Sequence, residues 1–190
     1  KLSSLDVAPT AENLKKASVY IIVDPDHAKE NSNPNYVSGK DIKVITDWVK
    51  AGGVLLLMAN DSGNCDLDYF NKLANEFGVT FTNKSRNMVK NDAFETGVVV
   101  PNDKQVFKEP YKMYLKEISV IKMKAPARPL VTKENDVVIA TAKYGKGTVF
   151  AVGDPWLYNE YVDGRKLPAE YQNHKAATDL VKWLLGQNKK

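Results

Sequence analysis

Of its 190 residues, the chain spends one on cysteine, two on histidine and three on arginine. Each scarcity removes a class of function. A lone Cys65 cannot close an internal disulfide, and it cannot supply a cysteine-rich zinc site. His27 and His174 are too few imidazoles for a histidine-built metal centre. No metal ligand is assigned, and no cofactor is expected. Three Arg stand against 24 Lys, and the net charge is only +4. Nucleic-acid surfaces gather their cations and favour Arg for bidentate contacts. These lysines are spread along the chain among acids, which describes a solvated surface, and no nucleic-acid partner is expected. No apolar run approaches the ~20 residues of a membrane span, so no membrane partner is expected either. No basic-apolar-small signal segment opens the sequence. The first residue is Lys1, so the chain is expected to be processed or cut from something longer. Internal repeats and low-complexity tracts are also missing.

What remains is an ordinary globular composition, 43% hydrophobic and 26% charged, expected to form one domain over residues 1–190. VYIIVD, from Val19 to Asp24, is a continuous apolar run of strand length, the pattern of a strand covered on both faces. Ser38 is placed to cap a helix whose apolar face is Ile42, Ile45, Trp48 and Val49, and Gly52-Gly53 stops it. VLLLMA, from Val54 to Ala59, is a second buried strand. Asp66 can cap a helix with the stripe Leu67, Phe70, Leu73, Ala74 and Phe77, ended by Gly78, before a short third strand at Val79 to Thr82. Strand, helix, strand, helix, strand predicts a parallel sheet with helices packed on it.

Residues 84–116 have a weak pattern, with an edge strand expected at Gly97 to Val100. Strands at Ile118 to Met123 and Leu130 to Thr132 follow. Val137 to Tyr144 and Thr148 to Gly153 then form an antiparallel hairpin across Gly145-Lys146-Gly147. Asn173 is placed to cap a last helix with the stripe Ala177, Leu180, Val181 and Leu184, terminated by Gly186. The predicted fold class is α/β: a mainly parallel sheet flanked by helices in a three-layer sandwich, with a hairpin near the C-terminus.

Ligands of open α/β sheets gather at the carboxyl ends of the strands. Three polar loops leave such ends here: Asp24-Pro25-Asp26-His27, Asn60-Asp61-Ser62-Gly63-Asn64, and Asp154 onward. The candidate ligand-binding residues on this rim are Asp24, Asp26, Asn60, Asp61, Asp154, Trp156, Asn159, Glu160 and Arg165. Asp24 with Asp26, or Asp61 with Asp66, could pair as acid and base or bind Ca²⁺, but neither pair has a metal-loop spacing, and acids after strands also cap turns. His27 could serve as a base, or be an exposed loop residue. The segment from Gly153 to Ala177 is far longer than a usual connection. Its Trp156, Tyr158, Tyr161 and Tyr171 could stack on sugar rings while Asn159, Glu160 and Arg165 serve hydroxyls and a carboxylate. They could equally pin the loop to the sheet, or face another domain, since interface cores are rich in aromatics and Arg.

Two further motifs are weak. Cys65 lies several residues past a strand, between Asn64 and Asp66, whereas a nucleophile elbow needs its residue on the tight turn directly after one. No catalytic residue is therefore assigned. Tyr144-Gly145-Lys146-Gly147-Thr148 lacks the Gly-Lys-Ser/Thr order and the following helix of a phosphate loop.

The arrangement VYIIVDPD, then WVKAGGVLLLMAND, then YGKGTVFAVGDPWLYNEYVDGRKLP and a closing helix resembles the class I glutamine-amidotransferase-like superfamily. More narrowly, it is similar to the amidotransferase-like domain at the C-terminal end of unsaturated glucuronyl or rhamnogalacturonyl hydrolases of gut Bacteroidetes. Most of the chain is covered, and GDPWLYNEYVDGRKLP is the most specific part. In that superfamily an elbow cysteine partners a histidine and a glutamate, and this sequence departs from the pattern at all three. In those hydrolases the catalytic carboxylates lie in a helical toroid that this chain does not encode. The resemblance also implies a first strand and helix ahead of residue 1, whose absence would leave a sheet edge to be covered by a partner. It implies a non-catalytic accessory or interaction domain of a polysaccharide-degrading enzyme in the periplasm or outside the cell. The domain would pack on a catalytic hydrolase domain or subunit and contact an acidic oligosaccharide. A stand-alone glycan hydrolase using loop carboxylates, and a small-molecule sensor, are the alternatives.

Overall fold

The computed structural model describes residues 1–156, 161–162 and 165–188. Its centre is β2 (Val54–Met58), five residues without an exposed side chain. Alternation along the strand splits them between two cores. Leu55 and Leu57 join Ile45, Trp48 and Val49 of α2 (Gly39–Lys50) and Phe70 and Leu73 of α3 (Leu67–Ala74). Val54, Leu56 and Met58 join Leu180 and Leu184 of α4 (Asn173–Gln187), with Phe107 and Met113 from the middle of the chain. Each such side chain contributes roughly 1.5–3 kcal/mol by leaving water. The result is the expected α/β sandwich of three layers, with helices on both faces of one sheet.

β1 (Val19–Val23) runs parallel to β2, and β2 runs parallel to β9 (Gly147–Val152). β8 (Asp136–Tyr144) is antiparallel to β9 and meets it at Tyr144 opposite Gly147, which is the expected hairpin. Gly145 sits there at φ 57°, a conformation that a glycine adopts without strain. Beyond β8 lie β6 (Ile118–Met123) and then β3 (Val79–Arg86), while β7 (Ala127–Lys133) also pairs with β8. A two-stranded sheet of β4 (Val98–Val99) and β5 (Met113–Tyr114) stands apart.

Two elements differ from their sequence patterns. β3 does not extend the parallel set. It pairs antiparallel with β6 at the far end of the sheet order. Its burial alternates and then fades, as in a half-covered edge strand, whereas β9 is buried along its whole length and takes the place beside β2. Asn173 does not cap α4. It is buried, and its side chain accepts from the Tyr114 N–H and donates to the Tyr114 carbonyl, both at 2.8 Å, stitching the helix start to β5. Accordingly Ala176, Leu180 and Leu184 form the inward stripe of α4, and Val181 faces outward.

The other helix starts match their sequences. Ser38 and Asp41 exchange hydrogen bonds in a capping box. The Asp66 carboxylate accepts from the backbone of Asp68 and Tyr69. No helix among the described residues is long and apolar enough to cross a membrane.

Candidate functional site

The parallel strands β1, β2 and β9 deliver their carboxyl ends to one rim. There Asp24, Asn60 and Asp154 come together with Glu30, Asn64, Lys116, Glu117 and Pro155 around a cleft of about 280 Å³. Asp24 adopts φ 46° directly after β1, and its backbone N–H still donates to the Met58 carbonyl at 2.9 Å, so the chain turns away from the sheet without losing its ladder. Asn60 lies past β2 and donates through Nδ2 to the Asp24 carboxylate at 3.5 Å.

Lys116 and Glu117 reach this rim from the N-terminal end of β6. β6 and β9 are both antiparallel to β8 and so run the same way, but β6 is shifted along the sheet. Ile121 stands opposite Val137 while Ile139 stands opposite Val152, so the start of β6 lies beside the end of β9, where Ser119 donates to the Gly153 carbonyl at 2.9 Å. The approach is so close that a Cβ on Gly153 would fall 2.0 Å from the Ser119 oxygen. Glu117 completes the bend at φ 54°.

Asp154 is the most perturbed group of the site. It is 3% exposed. Its Oδ2 accepts from the Lys116 backbone N–H at 2.7 Å, and its Oδ1 has no hydrogen-bond partner among the described residues. Burial pushes its carboxyl up to about 8, against the opposing pull of the Lys116 and Trp156 backbone N–H groups. The proton is therefore held at neutral pH. Asp24 is open to solvent on one side, yet desolvation raises its pKa, with Glu30 and Asp61 adding repulsion and the Asn60 amide opposing. The Lys116 ammonium lies 3.6 Å from Glu117. Asp24, Glu30 and Glu117 against the one described ammonium give the cleft an acidic character even with Asp154 protonated.

The remaining rim candidates do other work. Asp26 Oδ2 accepts from Asn31 Nδ2 at 2.9 Å and from the Asn35 N–H at 3.0 Å, folding its own loop. Asp61 is buried and accepts from the Gly63 N–H at 2.6 Å and from Asn64 Nδ2 at 3.0 Å, which makes it a turn former. Trp156 is fully buried in the core cluster on the α4 side of the sheet, so its ring offers no face for a sugar to stack on. Arg165 is exposed and stands outside the cleft lining. Asn159 and Glu160, with Tyr158, lie outside the described residues. Tyr161 packs against Tyr114 with ring centroids 4.8 Å apart, and Tyr171 is buried with its hydroxyl 3.1 Å from Glu95, so both described tyrosines of the loop have packing roles.

Lys116 and Glu117 were not marked by the sequence pattern. The rule that pointed to the rim concerns the ends of parallel strands, and these two residues open an antiparallel one. Glu30 sits in the loop after β1, but nothing in that loop's composition separated it from its polar neighbours.

Cys65 is 1% exposed, and its Sγ–H donates to the Asp66 carbonyl at 3.8 Å. Burial pushes the thiol up to about 12, reinforced by Asp24, Asp66 and Asp61. Among the described residues no group of three or more His, Cys, Asp and Glu side chains could hold a metal ion. Cys65 is expected to resist iodoacetamide at pH 8 in the folded protein and to react at once in denaturant. Labelling of the native chain at the rate of a free thiol would contradict this burial.

No family model matches the chain, and no curated protein matches it. Solved structures share its fold. The mmIFT52 N-terminal domain superposes with a TM-score of 0.73 at 16% identity, over 100% of this chain and 86% of that one. The cytoplasmic protein STM1381 from Salmonella typhimurium LT2 gives a TM-score of 0.60 at 17% identity, over 95% of this chain and 76% of that one. A cold-adapted β-galactosidase from Rahnella sp. R3 gives 0.57 at 15% identity, over 90% of this chain and 22% of that one. The chain thus spans less than a quarter of the galactosidase and most of the other two. At these identities the likeness concerns the fold.

Proposed function

We propose that this chain is a non-catalytic accessory domain of a polysaccharide-degrading enzyme of the unsaturated rhamnogalacturonyl or glucuronyl hydrolase type. It packs on the catalytic domain or subunit of that enzyme. The observation that carries the non-catalytic half is the setting of Cys65: buried, off the strand end, and with its thiolate strongly disfavoured. An acyl-transfer nucleophile requires the opposite of each. The accessory half is supported by the sequence resemblance and by the recurrence of this fold within a β-galactosidase more than four times the matched length. An acidic oligosaccharide would find its countercharge on exposed cations such as Arg165, away from the acidic cleft.

The test is association. Sedimentation velocity of this chain mixed with a helical-toroid unsaturated rhamnogalacturonyl hydrolase is expected to show a joint species absent from either component. Separate boundaries at all ratios would remove the accessory reading.

One observation favours a second reading, a stand-alone glycan hydrolase. Asp154 keeps its proton to about pH 8 and shares a cleft with Asp24, and glycosidases build their acids from a pair of carboxyls of which one is protonated. Such an enzyme would turn over an unsaturated disaccharide by itself and would lose that activity with Asp154→Asn.

A further inference from the structure

We propose that the rim cleft is a binding site for a small organic ammonium ion, received by the carboxyl groups of Asp24 and Asp154 between the ends of β1 and β9. The site is independent of the catalytic partner proposed above. Three observations converge on it.

The first is charge. Asp24, Glu30 and Glu117 line the cleft beside the protonated Asp154, and the sole lysine among its described residues, Lys116, already lies 3.6 Å from Glu117. An entering carboxylate or phosphate would meet carboxylates of its own sign, at distances where like charges cost affinity. A cation meets the reverse.

The second is an unpartnered carboxyl oxygen. Asp154 is 3% exposed, its Oδ2 is engaged by the Lys116 N–H, and its Oδ1 has no partner among the described residues. Buried polar atoms are rarely left so, because an unmade hydrogen bond at a desolvated site is costly. A charged N–H donor would satisfy it and would favour the carboxylate over the protonated acid. Asp154 then exchanges its proton for the ligand's charge, so binding releases a proton to solvent.

The third is size and lining. About 280 Å³ is at the small end of ligand cavities, which run to roughly 300–1,000 Å³. Among the described residues the acids do not converge closely enough to form a metal cage. The described lining carries no aromatic ring for stacking: it is acids, amides, one lysine and Pro155. Carboxyls that share the lining with the Asn60 and Asn64 amides suit a molecule carrying an ammonium group on a hydroxylated frame.

The experiment compares one ring in three charge states. Glucosamine, glucose and glucuronate are titrated into the ¹⁵N-labelled chain at pH 6.5, following the amides of Asp24, Gly153, Lys116 and Glu117. Glucosamine is expected to shift these amides saturably in the millimolar range, with glucose and glucuronate at least tenfold weaker. Calorimetry of the glucosamine titration in two buffers of different ionisation heat is expected to show proton release. Asp154→Asn and Asp24→Asn should each weaken glucosamine tenfold or more while leaving the remaining spectrum in place. Equal binding of glucose, tighter binding of glucuronate, or unchanged affinity in both variants would overturn the proposal. None of these outcomes depends on a hydrolase partner, so failure here and failure of the accessory reading are separate results.

Discussion

Asn in place of Asp154 is expected to stabilise the protein, and to do so only above about pH 4. The carboxyl titrates near 3.8 in the unfolded chain and near 8 in the folded one. Between those values the unfolded state binds fewer protons than the native state, so wild-type stability falls as pH rises, and the loss is complete above pH 8. Four units at about 1.4 kcal/mol each set a ceiling of roughly 6 kcal/mol. Asn cannot ionise, yet its amide oxygen can still accept the Lys116 N–H that Oδ2 accepts at 2.7 Å. The two proteins should therefore melt alike near pH 4 and diverge steadily to pH 8, with the variant higher. Thermal melts across that range check the sign directly. Parallel curves, or a variant less stable at pH 8, would mean that Asp154 is ionised and well solvated in the native state. Buried acids kept at such a cost cluster at binding and catalytic sites, which is what makes Asp154 a candidate.

Trp156→Ala is expected to cost about 3–5 kcal/mol, the range for truncating a large buried aromatic. The indole is fully buried among side chains of β2, β9 and α4, and it follows Asp154 by two residues. Its loss should lower the melting temperature by on the order of 10 °C for a domain of this size. It should also loosen the backbone that holds Asp154, so the pH dependence described above should flatten in the same variant. Calorimetry of the variant at pH 5 and pH 8 reads both effects. A loss below 1 kcal/mol would place the indole at the surface, where it could serve a ligand after all.

The burial of VLLLM was legible because the run is apolar on both faces, and β2 is buried throughout. VYIIV carries the same pattern, yet β1 forms the edge of the sheet, half-buried from Val19 to Ile22 and exposed at Val23, because edge or centre is decided by strand order. The helix starts at Ser38 and Asp66 were legible because capping chemistry is local. The hairpin at Gly145 was legible for the same reason. The position of β3 was not, since nothing in Val79 to Thr82 says that β9, some 70 residues later, will occupy the place beside β2. Asn173 was a fair cap by residue type, but its amide matches the Tyr114 backbone better, a contact 59 residues away.

For the site, Asp24, Asn60 and Asp154 followed from strand ends alone. Trp156 illustrates the opposite limit. An aromatic in a long loop carries the same sequence signal whether it faces a ligand or the core, and only packing distinguishes the two. Lys116 and Glu117 needed the register of β6 against β9, which is a tertiary fact.

The central claim is that this scaffold binds at its rim and leaves cleavage to other domains. The most direct measurement is the release of product from an unsaturated rhamnogalacturonyl disaccharide by the purified chain alone, followed beside the Asp154→Asn variant over the same hours. The account predicts that both match the rate of buffer. Turnover by the wild-type chain that disappears in the variant would contradict it.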